Sequence, residues 1–209
     1  GLIELDRAVG VASSILAHGR WMLRFAGQGN HAGTTAMGDR HDPMLAAAGA
    51  VIAARAIATA HAGSRATVGR LEPLPGGTNV IASQVGVWLD VRADQASETR
   101  AVIDEIAAAA TEAATAEGCT VEVTEESYSA EVAFDSQLRD RIAGALGDAP
   151  LLPTGAGHDA GILAARVPTA MLFVRNPSGI SHAPQEFARD EDAEAGADAL
   201  VTVLKELLS

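Results

Sequence analysis

Val85-Gly86-Val87-Trp88-Leu89-Asp90-Val91-Arg92 alternates without a fault: Val85, Val87, Leu89 and Val91 share one face, and Gly86, Trp88, Asp90 and Arg92 the other. A period of two residues belongs to a strand with one buried side, here expected to run from Val80 to Arg92. Upstream, Arg20-Trp21-Met22-Leu23-Arg24-Phe25 repeats the pattern with Trp21, Leu23 and Phe25 on one face. Between the two, Asp42-Pro43 reads as an N-cap followed by proline at the first helical position. The alanine-rich run from Met44 to about Ala62 continues as a helix, with Gly63 at its end. Ala66 to Leu71 is a further strand, broken by Pro73-Leu74-Pro75-Gly76-Gly77. Downstream, a helix from Ser97 to Glu117 ends at Gly118, and Thr120 to Thr124 alternates once more. The order is β-α-β-β-α-β, a ferredoxin-like α+β layer with an antiparallel sheet and helices on one face. That fold hosts many functions and fixes none.

After Glu131 the pattern changes to α/β parts. Asp135 caps a helix running to about Leu146, and Gly155-Ala156-Gly157 opens another from His158 to Ala165. Thr169-Ala170-Met171-Leu172-Phe173-Val174 is a continuous apolar run, expected to be a strand buried on both faces. A last helix begins near Asp190, with acidic residues in its first turn and Lys205 near its end. These parts hold too few strands for a self-sufficient sheet.

The 209 residues are enough for one domain or two small ones. With 48% hydrophobic and only 3% aromatic residues, the core is expected to be built of Ala, Val, Leu and Ile. A net charge of −12 and no basic stripe argue against nucleic acid as a partner, so the acidity reads as a solvated surface. Cys119 is the single cysteine, which excludes an internal disulfide and a multi-thiolate zinc site. No stretch reads as an apolar membrane span and no signal-peptide profile opens the chain, so no membrane association and a cytoplasmic location are expected.

Several polar residues have the chemistry for a site. His182 follows a glycine turn after the apolar strand, in Gly179-Ile180-Ser181-His182-Ala183-Pro184-Gln185-Glu186. Loops at strand ends are where open α/β sheets place their sites. Its imidazole is either a metal ligand with Glu186 in support, or a solvated loop histidine. His31, in Gly29-Asn30-His31-Ala32-Gly33-Thr34-Thr35, either polarises a bound carbonyl or sits in a turn that Thr34 and Thr35 shape. Asn79 follows Pro75-Gly76-Gly77-Thr78, where its amide also suits turn stabilisation. Arg92 offers a fork for a substrate carboxylate, or a surface pair with Asp90 or Asp94. Gly155-Ala156-Gly157-His158-Asp159-Ala160 puts backbone N–H groups at a helix start, an anion-binding arrangement, with Asp159 the expected cap. No H-E-x-x-H, P-loop, nucleophile elbow or G-x-G-x-x-G is present.

Taken in order, Asn30 to Thr35 with Arg40 and Asp42, Asn79-Val80-Ile81, Asp90-Val91-Arg92, Gly155 to Ala160 and Gly179 to Glu186 resemble the amidase/hydantoinase–carbamoylase branch of the M20 metallohydrolases. That branch includes allantoate amidohydrolases, N-carbamoyl-L-amino acid hydrolases and β-ureidopropionases, and the likeness covers nearly the whole chain. It implies an α/β catalytic domain with two divalent metal ions, zinc or manganese, and an inserted ferredoxin-like lid that makes a homodimer. Residues 1–16 would then be a hinge and remnant of the catalytic domain, 17–129 the lid, and 130–209 the C-terminal part of the catalytic domain. By the same resemblance His182 is the last metal ligand. His31, Asn79 and Arg92 are lid residues binding the amide and carboxylate of a small ureido or carbamoyl substrate, in relatives sometimes at a partner subunit's site. Gly155, Gly157 and His158 supply further substrate contacts.

The resemblance also marks departures. Family members carry their other metal ligands and a general-base glutamate upstream, ending in a His-Ile-Glu-Gln-Gly motif that this sequence does not contain. Ala36 stands where the family usually has proline or another residue, a minor change. The expectation is that the 209 residues alone are catalytically incompetent, since one histidine does not hold a water-activating metal. Two other functions compete: an M20 peptidase or aminoacylase relative, and a non-catalytic dimerisation or ligand-binding module.

Overall fold

A computed structural model describes all 209 residues. In chain order the elements are β1 (Val9–Ile15), β2 (Ala17–Ala26), β3 (Asn30–His31), α1 (Pro43–Ala60), β4 (Arg65–Leu74), β5 (Val80–Ile81), β6 (Gln84–Ala93), α2 (Ala96–Ala116), β7 (Thr120–Ser129), β8 (Val132–Ala133), α3 (Ser136–Ala145), β9 (Leu151–Thr154), α4 (Asp159–Leu163), β10 (Leu172–Val174) and α5 (Asp190–Leu208). They form two compact units, Ala17–Glu131 and Gly1–Leu16 with Val132–Ser209.

In the first of these, the sheet order is β4-β6-β2-β7 and every neighbouring pair is antiparallel. This is the β-α-β-β-α-β arrangement the alternation predicts. Trp21, Leu23 and Phe25 stand opposite Leu89, Val87 and Val85, so both strands turn their apolar sides the same way. Ala46, Ala47, Ala50 and Ala54 of α1 and Val102, Ile103, Ile106 and Ala110 of α2 close over that side. Asp42 caps α1 through its carboxylate, which accepts from Met44 N–H at 2.9 Å, with Pro43 in the first turn. Small side chains let the helices lie close: a Cβ added at Gly49 would stand 3.3 Å from Ala113 Cβ. On the carboxyl side the unit extends to Glu131, whose carboxylate accepts from Ala96 N–H at 2.7 Å at the start of α2.

Three strand expectations need correction. β4 does not break at Pro73 but runs on to Leu74, with Pro73 opposite Val85; it is an edge strand, where a missing N–H is tolerated. The run from Val80 to Arg92 is two strands, because Val80 and Ile81 leave the sheet to pair with His31 and Asn30. β7 continues to Ser129, beyond Thr124, following β2 along its whole length. A fourth correction concerns hydropathy. The 18 residues of α1 have a mean hydropathy of 1.5 and pass for a membrane span by length and composition, yet its alanine face packs into this unit's core.

The other unit does hold a sheet. β1, which does not alternate in sequence and was not expected as a strand, is its centre: β10 and β8 pair with it antiparallel and β9 parallel. Residues 1–16 group with Val132–Ser209 in this unit. β10 is shorter than the apolar run suggests and only partly buried, with Val174 41% exposed, because it lies at the sheet's edge. Asp135 caps α3 by accepting from Leu138 N–H at 2.8 Å. Small clusters around Val11, Ile142 and Val203, and around Ala12, Ile15 and Phe134, form the core.

Candidate active site

Within the unit 17–131, the turn around His31 is fixed almost atom by atom. β3 pairs with β5, placing His31 opposite Val80, and Ala32 N–H donates to the Asn79 carbonyl at 3.0 Å. His31 and Asn79, far apart in sequence, are thus neighbours. The His31 carbonyl accepts from Thr35 Oγ1 at 2.8 Å and from the backbone N–H groups of Thr34 and Thr35. Arg40 buttresses the turn by donating to the carbonyls of Ala32, at 2.8 Å, and Thr35. Both turn-shaping by the threonines and a defined imidazole are therefore present together. Gly33 N–H donates to His31 Nδ1 at 3.1 Å, so Nδ1 is an acceptor and the neutral ring carries its proton on Nε2. The side chain is exposed, and what it offers is an N–H donor.

Arg92 lies elsewhere on the same unit. Its Nε and Nη2 donate to Asp90 Oδ1 and Oδ2 at 2.7 and 2.9 Å, a bidentate pair on half-buried side chains. The Asp90 carboxylate raises the Arg92 guanidinium above its ordinary value, outweighing the opposing effect of burial. Arg20 shares the same carboxylate at 3.7 Å. Arg65 and His18 flank Arg92 in register on the neighbouring strands, making a basic row across that end of the sheet. β2 runs from His18, opposite Arg92, to Ala26, opposite Gln84, a span of about 26 Å at the usual strand rise. His31 lies beyond the far end, so one small molecule cannot touch His31 and Arg92 of the same unit.

In the other unit, two loops carry the remaining residues. After β9, Ala156 N–H donates to Thr154 Oγ1 at 3.0 Å. His158, not Asp159, is the cap of α4: its Nδ1 accepts from Ala160 N–H at 3.0 Å. The glycines Gly155 and Gly157 precede a helix of only five residues, too short to present much of a dipole. After β10, Asn176 braces the second loop, its Oδ1 accepting from Ser178 and Gly179 and its Nδ2 donating to the Ile180 carbonyl. Glu186 holds the other end, accepting from Ser181 Oγ at 3.0 Å and His182 N–H at 2.9 Å. His182 itself is in the left-handed region at φ 58°, unusual for a residue with a Cβ. β9 and β10 run oppositely relative to β1, yet Gly155 and Gly179 line one cavity together with Thr154 and Asn176.

His182 is one exposed imidazole, and no group of three His, Cys, Asp or Glu side chains in the 209 residues has the arrangement to hold a metal ion. A structural or catalytic zinc takes three or four protein ligands, so these residues do not by themselves make the site.

Two supporting groups went unread in the sequence. Asp192, 1% exposed, accepts from Arg175 at 2.8 Å, and Arg175 also reaches Asp6 at 3.0 Å. This pair ties the first turn of α5 to the residue preceding Asn176. An acidic first turn reads the same whether it faces water or a half-buried arginine, so no local pattern marks Asp192. Asn176 is one of many loop asparagines until its partners are known.

The family model for peptidase family M20/M25/M40 matches residues 20–206. An N-carbamoyl-L-amino acid amidohydrolase of Geobacillus stearothermophilus is 35% identical over 204 residues, covering 95% of this chain and 50% of the relative. The allantoate amidohydrolase of Bacillus subtilis is 30% identical over 210 residues, covering 96% of this chain and 50% of the relative. Among solved structures, AtUAH in complex with (S)-hydroxyglycine superimposes with a TM-score of 0.92 at 27% identity, over 100% of this chain and 51% of its own. The chain spans about half the length of the curated relatives it matches.

Proposed function

This chain belongs to peptidase family M20/M25/M40, and on that premise we propose that it carries the substrate-binding part of a hydrolase cutting a C–N bond in a linear amide. The substrate is small and carboxylate-bearing, of the N-carbamoyl amino acid or allantoate kind that the relatives' names specify. One observation supports this above the others: Gly33 N–H fixes Nδ1 of His31 as an acceptor, leaving Nε2–H to donate to a carbonyl oxygen as it gains charge. Asn79 adds an amide beside it. Arg92, held flat by Asp90, anchors the carboxylate through charge-assisted hydrogen bonds. By the family resemblance, Gly155, Gly157 and His158 are further substrate-contacting residues, on the loops of their own unit.

The separation of His31 from Arg92 supports a homodimer formed through the unit 17–131. The two ends of one sheet then serve two different substrate molecules, which requires a second copy to complete each site. We infer that the complete enzyme takes two divalent ions, zinc or manganese, which His182 alone does not hold. The 209 residues by themselves are therefore proposed to be catalytically incompetent. The test is an assay of this chain with zinc or manganese against N-carbamoyl amino acids and allantoate, alongside metal analysis. No turnover and fewer than two bound ions are expected. Stoichiometric binding of two ions with turnover would overturn the incompetence of the 209 residues, and a chain that stays monomeric would overturn the dimer.

A further inference from the structure

His61 closes the C-terminal end of α1, its backbone N–H donating to the Ile57 carbonyl at 3.2 Å. Its ring is wedged between two carboxylates of α2: Nδ1 lies 2.5 Å from Glu98 Oε1, and Nε2 lies 3.0 Å from Glu105 Oε1. The imidazole is 20% exposed, and the glutamates are 41% and 55% exposed. A neutral imidazole has a single N–H, so one nitrogen would then turn a lone pair towards a carboxylate oxygen. Only the imidazolium donates to both.

We propose that His61, Glu98 and Glu105 form a protonation-controlled clasp, which holds the end of α1 against the first turns of α2 and lets go as pH rises. The rest of the helix contact is built from small residues such as Gly49, Ala50, Ala110 and Ala113, which bury little apolar area per residue. A directed polar contact at one end therefore has more influence than it would beside large interlocking side chains. The surroundings favour the cation. Asp94, on the connection leading into α2, stands close to Gly63, and the C-terminal carbonyls of α1 are the negative end of its dipole. The cation that follows on the same connection, Arg65, donates to the Gly63 carbonyl at 3.3 Å. The hydrogen bond to Glu98, with a smaller one to Glu105, raises the His61 imidazole above 6.5 against the opposing effect of burial. A raised value in the folded state gives a contribution fully present below 6.5 and lost as pH climbs through the folded value. The clasp sits at the end of the sheet that carries Arg92, four residues before α2 begins, so its release loosens the segment that follows the carboxylate anchor.

Nitrogen-15 NMR of the intact 209-residue chain tests this, with His61→Gln used to assign the ring. Both ring nitrogens should be protonated below pH 6.5, the midpoint should lie above 6.5, and Glu98→Gln with Glu105→Gln should bring it down. Thermal melting provides the second arm. Wild type should exceed His61→Gln by several degrees below pH 6.5, and the gap should close at higher pH. A His61 midpoint at or below 6.5, or a melting gap unchanged across that range, would overturn the clasp.

Discussion

The two units use apolar side chains in opposite ways. In 17–131, Phe25, Val85, Val91, Val102 and Ala110 are fully buried, and two helices cover the inner face of a four-stranded sheet. In the other unit, helix faces that look like core positions meet solvent. Ile162 and Leu163 of α4 are 74% and 55% exposed, and Leu200, Leu204 and Leu208 of α5 are 52%, 51% and 87% exposed. The α5 residues recur at i, i+4 and i+8, the spacing of a buried stripe. One unit covers the inner face of its sheet with two helices; the other leaves a helical apolar stripe in contact with solvent.

The units should respond separately to damage. Phe25→Ala removes a fully buried ring and should cost about 3–5 kcal/mol, lowering one calorimetric transition and leaving the other in place. Asp192→Ala leaves Arg175 with only the exposed Asp6 and should lower the other transition by a smaller amount. A single transition that shifts equally in both variants would show that the units melt as one. Next in size is the surface effect: Leu200→Glu with Leu204→Glu should lower the binding of an apolar fluorescent dye, measured at constant protein concentration, while far-ultraviolet circular dichroism stays the same. No change in dye signal would mean the α5 face is covered in solution. The smallest effect is expected from Asp42→Ala, which removes the α1 cap and should cost about 1 kcal/mol in the 17–131 transition alone.

The same contrast governs what could be read in advance. The 17–131 fold was legible because each strand is buried on one side, and one-sided burial writes itself as alternation. Asp42-Pro43 marked the helix start for the same local reason, since cap chemistry involves residues two positions apart. β1 was missed because a central strand covered on both sides need not alternate, and Ser13-Ser14 interrupts its apolar run. Pro73 misled because only the sheet order reveals that β4 is an edge. At the site, the sequence left Arg92 open between a ligand carboxylate and Asp90, and the structure gives it Asp90, at a distance from His31 that no spacing along the chain discloses.

Local rules acting over a few residues settled the alternation of β2 and β6, the ends of α1 and α2, and the list of polar residues worth watching. The partners were settled by contacts between residues far apart along the chain: Asn79 beside His31, Asp192 under Arg175, and two glutamates around His61. Periodicity and capping are properties of neighbouring residues, whereas a tautomer, a buried ion pair or a protonated imidazole depends on whichever distant groups the packed chain brings within hydrogen-bond reach.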